Sequence, residues 1–179
     1  MAIEFPKPLI GIAAYSGTGK TTLLTRLIPE LTGRGLRLAV VKHAHHDFEI
    51  DYPAKDSYKL RKAGATQMLI ASRSRWALVT DHEDHGEPRL QELLRNLDSD
   101  SVDLVLVEGF KEERFPKIEL HRKGIRSPLL FLSDDSVIAV ACDEKLPGTV
   151  RLPVLDINDT TQIADFIEQR LAQGNAVRS

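Results

Sequence analysis

The residues with the clearest chemical potential lie near the start of the chain, in the segment Ala14-Tyr15-Ser16-Gly17-Thr18-Gly19-Lys20-Thr21. An apolar run over residues 9–13 precedes this segment, and apolar residues at helical spacing follow it. A strand, a glycine-containing loop and a helix in this order are the setting of a phosphate-binding loop. We therefore expect the N–H groups of the loop and the positive end of the helix to bind phosphates.

Individual residues of this loop have separate expected roles. Lys20 can reach the β- and γ-phosphates of a nucleotide, and the Thr21 hydroxyl can bind the accompanying Mg²⁺. Gly17 and Gly19 supply backbone freedom close to the phosphates. The general pattern has glycine at the first loop position, where this chain has Ala14. Alanine is tolerable there if its φ is negative.

The second candidate element of the site is an acidic residue that follows the apolar run over residues 102–107. Glu108 at the end of this predicted strand resembles the element of P-loop proteins in which an acidic residue holds Mg²⁺ or its bound water. Gly109 would let the following backbone pass close to the γ-phosphate. The alternative is a buried strand that ends in a solvated glutamate, but the phosphate-binding loop favours the metal role. We predict Lys20 and Glu108 as the catalytic residues.

The identity of the base is left open by the residues themselves. The usual guanine-reading motif, Asn/Thr-Lys-x-Asp, is absent from the sequence. Asp143 follows an apolar run, and its carboxylate could accept hydrogen bonds from guanine, or it could be a solvated turn residue. Asp56 could likewise contribute to Mg²⁺ binding through water, or it could cap a short helix. The residues therefore predict a purine nucleoside triphosphate without choosing ATP or GTP.

Histidines form a further cluster at His43, His45 and His46. A transition-metal site is one interpretation. However, two neighbouring histidines cannot both easily face one ion, and no Cys or further His lies at a recognised ligand spacing. The alternative is that these histidines, with Asp47 and Asp51, line an anionic ligand site or a nucleotide-sensitive loop.

Several basic residues are candidates for phosphate recognition or for simple exposure. Arg73 and Arg75 flank Ser74 in a predicted turn, where either role is open. The remaining candidates are expected to be solvated: Arg61, Lys62, Lys111, Lys117, Arg122 and Lys123.

Composition limits the class of protein. The chain has 179 residues, of which 42% are hydrophobic, and this suits one nucleotide-binding domain over residues 1–179. The net charge of −2 gives no bulk attraction to nucleic acid or to a membrane. The single cysteine, Cys142, lies in an apolar run and is expected to be a buried small residue. With no disulfide framework, signal peptide or membrane-length run, the expected location is the cytoplasm.

The elements that must position these residues follow from apolar periodicity. Helices are predicted from Lys20 toward Gly33, with a kink or break at Pro29, near Asp56 and Leu90, and from about Asp159 to before Gly174. Strands are predicted over residues 9–13, 36–41, 68–71, 76–79, 102–107, 117–121, 129–132, 137–141 and 154–155. This alternation predicts an α/β fold, P-loop NTPase-like, with a mostly parallel sheet flanked by helices.

Five segments together resemble one known family, the MobB family of molybdopterin-guanine dinucleotide biosynthesis adaptor proteins. They are residues 15–24, 41–47, 55–65, 107–111 and 156–159, so the resemblance extends over nearly the whole chain. The combination of the His-rich segment, Lys55-Asp56-Ser57-Tyr58 and Val107-Glu108-Gly109-Phe110 is far more specific than the phosphate-binding loop alone. Ala14 also agrees with the family pattern.

The resemblance implies a GTP-binding protein with weak GTPase activity, forming a homodimer. Such a protein assists the nucleotidyltransferase MobA, which joins GMP to molybdopterin and so gives the guanine dinucleotide. The resemblance assigns residues 17–22 to the phosphates, and Thr21 and Glu108 to Mg²⁺. Together with the candidates taken from the residues alone, the expected Mg²⁺ ligands are Thr21, Glu108 and Asp56, and the residues expected to bind GTP are Ser16, Gly17, Thr18, Gly19, Lys20, Thr21, Thr22 and Asp143. A P-loop small-molecule kinase and a nickel-delivery GTPase are the alternatives.

Overall fold

The computed structural model describes residues 3–44, 48–82, 86–125 and 127–176. The chain divides into one compact unit formed by Met1–His43 and Pro88–Ser179, and a second formed by Ala44–Glu87. The single nucleotide-binding domain expected over residues 1–179 stays a prediction. No helix among the described residues combines the length and apolar character needed to cross a membrane.

Strands and helices alternate along much of the chain, as the apolar pattern predicts. In chain order the elements are β1 (Leu9–Ala13), α1 (Lys20–Gly33), β2 (Leu38–Lys42), α2 (Asp56–Lys62), β3 (Gln67–Ala71), β4 (Trp76–Thr80), α3 (Leu90–Leu94), β5 (Leu104–Glu108), β6 (Lys117–His121), β7 (Val137–Cys142), β8 (Val154–Asp156) and α4 (Thr160–Ala176). Short 3₁₀ helices occur at Ser99–Ser101 and Leu130–Leu132.

A six-stranded sheet with the order β2-β5-β1-β6-β7-β8 organises the first unit. Each neighbouring pair in this sheet is parallel. Glu108 is in register with Ile12 of β1 and with Lys42 of β2. Because parallel strands end at the same edge, the segments that follow β1, β5, β6 and β7 come together there. The predicted α/β fold with a parallel sheet is confirmed.

Helices cover both faces of this sheet. Side chains of α1 and α4 pack with alternate residues of β1, β5 and β7 in one apolar cluster. The intervening residues of β5, Val105 and Val107, pack on the other face with Leu90 and Leu94 of α3. β5 is consequently buried on both sides, as its continuous apolar sequence predicts.

The strand predicted over residues 129–132 is wrong, since a 3₁₀ helix forms at Leu130–Leu132. The carboxylate of Glu119, which is 1% exposed, accepts hydrogen bonds from the N–H groups of Leu130 at 2.7 Å and Phe131 at 2.9 Å. These N–H groups therefore bind a side chain instead of a neighbouring strand. Burial raises the pKa of Glu119, against the opposing effect of the two hydrogen bonds.

Two predicted helix interruptions also differ from the structure. A kink or a break was expected at Pro29, and the break does not occur, because α1 continues through this proline to Gly33. α4 continues through Gly174, although this glycine was expected to follow the helix. Cys142 is buried as predicted, and burial raises the pKa of its thiol.

The second unit contains a β-hairpin and a short helix. β3 and β4 pair antiparallel, and α2 packs against β3. Arg61 of α2 was expected to be solvated, but it is buried and forms ion pairs with Glu49 and Asp81. Both carboxylates compensate the burial of its charge.

Lys117 is also buried, although it was expected to be solvated. Its side chain is 1% exposed, and its Nζ atom lies 2.8 Å from Asp134 Oδ2, 2.9 Å from Ser136 Oγ and 3.1 Å from the carbonyl oxygen of Lys111. All three hydrogens of the ammonium therefore have acceptors. Burial opposes ionisation of Asp134, but hydrogen bonds from Lys117 and Ser136 outweigh it and lower the pKa of this carboxyl.

Removal of Asp134 should destabilise the fold because it leaves the Lys117 ammonium buried without its carboxylate. We expect Asp134→Ala to lower the free energy of unfolding by about 3 kcal/mol at neutral pH, measured by urea denaturation. The neighbouring Asp135, whose ion pair with Arg114 is exposed, provides a matched control, and Asp135→Ala should cost less than about 1 kcal/mol.

The same pair of variants has a defined pH dependence. The folded-state pKa of Asp134 is lowered, so its contribution is present at neutral pH and is lost as the pH falls through that folded pKa. The stability difference between wild type and Asp134→Ala should therefore shrink in acid. Equal urea midpoints for Asp134→Ala and Asp135→Ala at neutral pH would show that the buried pair contributes nothing.

Candidate functional site

The loop between β1 and α1 contains two glycines in the left-handed backbone region. Gly17 has a φ of 81° and Gly19 a φ of 97°, values that glycine adopts without steric cost. Phe110 is the one residue other than glycine with a positive φ in the described part of the chain. Ala14 thus has a negative φ, and its Cβ does not strain the loop entry.

Backbone N–H groups of this loop are available to a ligand. The N–H of Leu23 donates to the carbonyl oxygen of Gly19 at 2.9 Å, which begins the regular hydrogen bonding of α1. Within the described segments, the N–H groups of Gly17, Gly19 and Lys20 have no main-chain acceptor. Such N–H groups at a helix N-terminus attract anions.

The side chain of Lys20 contacts the backbone of the same loop. Its Nζ atom donates to the carbonyl oxygens of Ala14 at 2.9 Å and Tyr15 at 3.2 Å. Burial lowers the pKa of Lys20, the charge of Glu108 opposes this, and the charges of Lys42 and Lys111 lower it further. Three ammonium groups and one carboxylate therefore act on one another in this part of the first unit.

The hydroxyl residues of the loop have two different environments. Thr18 is buried, and its hydroxyl donates to the carbonyl oxygen of Tyr15 at 2.9 Å, which stabilises the loop itself. Ser16, Thr21 and Thr22 are exposed. The Thr21 hydroxyl at the start of α1 is therefore accessible to a metal ion.

Glu108 is positioned beside the loop by the parallel register of β5 and β1. Its side chain is 11% exposed, and its Oε2 atom lies 3.3 Å from Nζ of Lys42. The structure thus excludes the solvated glutamate that was the alternative interpretation. A metal ion bound by Glu108 would share this carboxylate with Lys42.

The chain makes a strained turn directly after Glu108. Gly109 has a φ of 94° and Phe110 a φ of 51°, a left-handed value that costs a residue with a side chain about 1–2 kcal/mol. A Cβ atom on Gly109 would lie 2.7 Å from Cβ of His43. The ring of His43 stacks on that of Phe110 with 4.7 Å between centroids. Glycine is therefore required at this turn for both conformation and space.

Arg122 contacts the loop between β1 and α1, although it was expected to be solvated, and its side chain is 37% exposed. It follows β6, and its Nε atom donates to the carbonyl oxygen of Thr18 at 3.4 Å, while its Nη1 atom lies 3.1 Å from Oδ2 of Asp143. The N–H of Lys123 donates to Oδ1 of Asp143 at 2.7 Å. Its position after a strand beside β1 is the signal that could have identified Arg122.

Asp143 is consequently linked to the phosphate-binding loop through Arg122. Its carboxylate is 21% exposed and has two partners, the guanidinium of Arg122 and the N–H of Lys123, although the residue lies in an exposed bend as the turn alternative expects. Each carboxylate oxygen can still accept a second hydrogen bond. Its role in reading guanine stays a prediction.

Asp56 is the candidate Mg²⁺ ligand that belongs to the second unit. Asp56 does not cap α2, because Lys55 is the N-cap residue and no side-chain cap hydrogen bond forms; its carboxylate is 93% exposed and lies 3.4 Å from Nζ of Lys59. Its role in Mg²⁺ binding stays a prediction. His45, His46 and Asp47 lie outside the described residues.

The described segments give little support to the transition-metal site or to the other predicted ligand contacts. They contain no group of three or more His, Cys, Asp and Glu side chains arranged to hold a metal ion. Asp51 accepts hydrogen bonds from the Ser57 hydroxyl and from the N–H of Tyr52. Arg73 and Arg75 are exposed in the turn between β3 and β4, and a phosphate-binding role for them stays a prediction.

Comparisons with known proteins agree on one family. The model of the family described as molybdopterin guanine dinucleotide synthesis protein B, MobB, matches residues 9–143. The molybdopterin-guanine dinucleotide biosynthesis adapter protein of Escherichia coli is 49% identical over 169 residues, which cover 94% of this chain and 95% of that protein. The protein of the same name from Haemophilus influenzae is 46% identical over 171 residues, covering 96% and 93%.

Solved structures of the same family share the fold. A crystal structure of molybdopterin-guanine biosynthesis protein B has a TM-score of 0.71 and 31% sequence identity, over 92% of this chain and 99% of that chain. A MobB homologue from Bacillus stearothermophilus has a TM-score of 0.69 at 24% identity, over 92% of this chain and 98% of that chain. The P-loop NTPase-like fold is thereby confirmed, and the chain belongs to the MobB family.

Proposed function

We propose that this protein binds GTP with Mg²⁺ and serves as an adapter in the biosynthesis of molybdopterin-guanine dinucleotide. The observation that carries nucleotide binding is the loop between β1 and α1, with available N–H groups and Lys20 beside Glu108. The names of the relatives support the biosynthetic role.

The residues present suit the charge and donor preference of a magnesium–triphosphate ligand. The N–H groups of Gly17, Gly19 and Lys20 would bind the phosphates, as would the Lys20 ammonium. The Thr21 hydroxyl and the Glu108 carboxylate are hard oxygen ligands of the kind that Mg²⁺ prefers. When bound, Mg²⁺ neutralises the negative charge of the phosphates.

Hydrolysis at this site should be slow. Glu108 shares its carboxylate with Lys42, and Arg122 is bound by Asp143 and the Thr18 carbonyl oxygen. Both groups would therefore have to share or give up a partner before acting on an attacking water. This favours an adapter with weak GTPase activity over a small-molecule kinase.

The proposed partners are the nucleotidyltransferase MobA, molybdopterin or its guanine dinucleotide, and a second copy of the chain. Leu69, Trp76 and Leu78 lie on one face of the β3–β4 hairpin, as its antiparallel register shows, and are 60%, 67% and 43% exposed. An exposed apolar face of this kind suits an interface, which supports the proposed homodimer. The cytoplasmic location stays a prediction.

Loss of the loop lysine should remove most of the nucleotide affinity. We expect Lys20→Ala to weaken Mg²⁺–GTP binding on the order of 10- to 100-fold in titration calorimetry, because a charge-assisted contact to phosphate is lost. Lys62→Ala, which removes an exposed lysine of the second unit, should bind as wild type. Unchanged affinity in folded Lys20→Ala would refute the phosphate-binding assignment.

Base preference provides a separate test of Asp143. If its carboxylate accepts from N1–H and the amino group of guanine, Asp143→Asn should bind GTP about tenfold more weakly and xanthosine triphosphate more tightly. The reason is that an amide donates to the oxygen that replaces the guanine amino group. An equal loss for GTP and ATP, with no gain for xanthosine triphosphate, would limit Asp143 to holding Arg122.

The adapter role is tested with the partner enzyme. Added MobA should change the rate of GTP hydrolysis or the GTP affinity of this protein, since Glu108 and Arg122 are already engaged by other groups of the chain. Lys20→Ala serves as the control, because a variant that does not bind GTP should show no such effect. A wild-type protein that binds GTP but is indifferent to MobA would contradict the adapter role.

A further inference from the structure

Lys111 directly follows a turn with an unusual backbone conformation. Gly109 and Phe110, the two residues before it, both have positive φ, and for Phe110 this conformation is strained. Phe110 is 5% exposed and stacks on His43, so packing maintains the strain. Left-handed residues with side chains cluster at sites where conformation serves function.

The backbone of Lys111 is also held by a hydrogen bond from a buried side chain. Its carbonyl oxygen accepts a hydrogen bond of 3.1 Å from Nζ of the buried Lys117. Asp134 and Ser136 in turn bind the same ammonium, at 2.8 Å and 2.9 Å. The strained turn before Lys111 and the hydrogen bond from the buried Lys117 therefore together determine the backbone position of Lys111.

The result of this placement is a cation beside the phosphate-binding loop. Nζ of Lys111 lies 5.1 Å from the ring centre of Tyr15, the residue whose carbonyl oxygen accepts from Lys20. The contact of Lys111 with Glu112, at 3.8 Å, joins two exposed side chains and is weak. A cation–π contact at an exposed site is also weak, and so is a poor reason to maintain a strained turn.

We propose that Lys111 is a second phosphate-binding cation, which contacts the terminal phosphate of a bound nucleoside triphosphate and increases the preference for triphosphate over diphosphate. This inference rests on the proposed function, since it concerns the same loop. Lys111 is 45% exposed, so its ammonium is accessible to a ligand.

Binding of GTP and GDP, each with Mg²⁺, to wild type and to Lys111→Met tests the proposal by calorimetry. We expect Lys111→Met to bind GTP about tenfold more weakly and GDP less than about threefold more weakly. Lys111→Arg should retain most of the GTP affinity. Lys62→Met is the matched control, because Lys62 is similarly exposed and lies 5.4 Å from the ring centre of Tyr58.

The outcomes separate the inference from the proposed function. If wild type binds neither nucleotide, the proposed function itself fails. If wild type binds GTP but Lys111→Met keeps the wild-type ratio of GTP to GDP affinity, only the role of Lys111 is overturned. An equal loss of GTP and GDP affinity also overturns it, because the cation would then not contact the terminal phosphate.

Positioning by the turn is tested with two glycines. Gly109→Ala adds a Cβ atom that would lie 2.7 Å from His43, whereas Gly148→Ala, at a φ of 73°, meets no atom within 4 Å. We expect folded Gly109→Ala to lose triphosphate preference like Lys111→Met, and Gly148→Ala to retain it. A wild-type preference in folded Gly109→Ala would overturn the positioning role of the turn.

Discussion

The parallel register of the central strands is the constraint on which the rest of the site depends. β1 lies between β5 and β6, so the loop after β1 is flanked by Glu108 on one side and by the segment containing Arg122 on the other. β5 is buried on both faces, against α1 and α4 on one side and α3 on the other. Packing of the core thereby determines which polar groups meet at the carboxyl edge of the sheet.

Charge is distributed unevenly around the phosphate-binding loop. Burial lowers the pKa of Lys20, and repulsion from the ammonium groups of Lys42 and Lys111 lowers it further, against the opposing charge of Glu108. Glu112 adds a second carboxylate, 3.8 Å from Lys111 on its exposed side. A net charge of −2 for the whole chain conceals this local excess of positive charge. Anionic ligands would relieve the repulsion, which is the electrostatic reason why a phosphate site is credible here.

Elements were predicted correctly from the sequence where residues close to them in the chain determine their structure. The start of α1 and both ends of β6 were predicted correctly, since apolar periodicity and the glycines of the loop mark them within a few residues. The segment at Leu130–Leu132 was misassigned because its N–H groups bind Glu119, which is more than ten residues away. Apolar sequence alone does not reveal such a partner.

Spacing and apolar pattern in the sequence were enough to predict the glycine-containing loop after β1, the strand that ends in Glu108 and the parallel α/β fold, because they encode local structure. The surroundings of isolated charged residues were not predictable in this way and depend on the assembled fold. Lys117 became buried beside Asp134, and Arg122 became a contact of the loop and of Asp143. A long charged side chain has no preferred partner until the strands on either side of it are in register, and register is a property of the whole sheet.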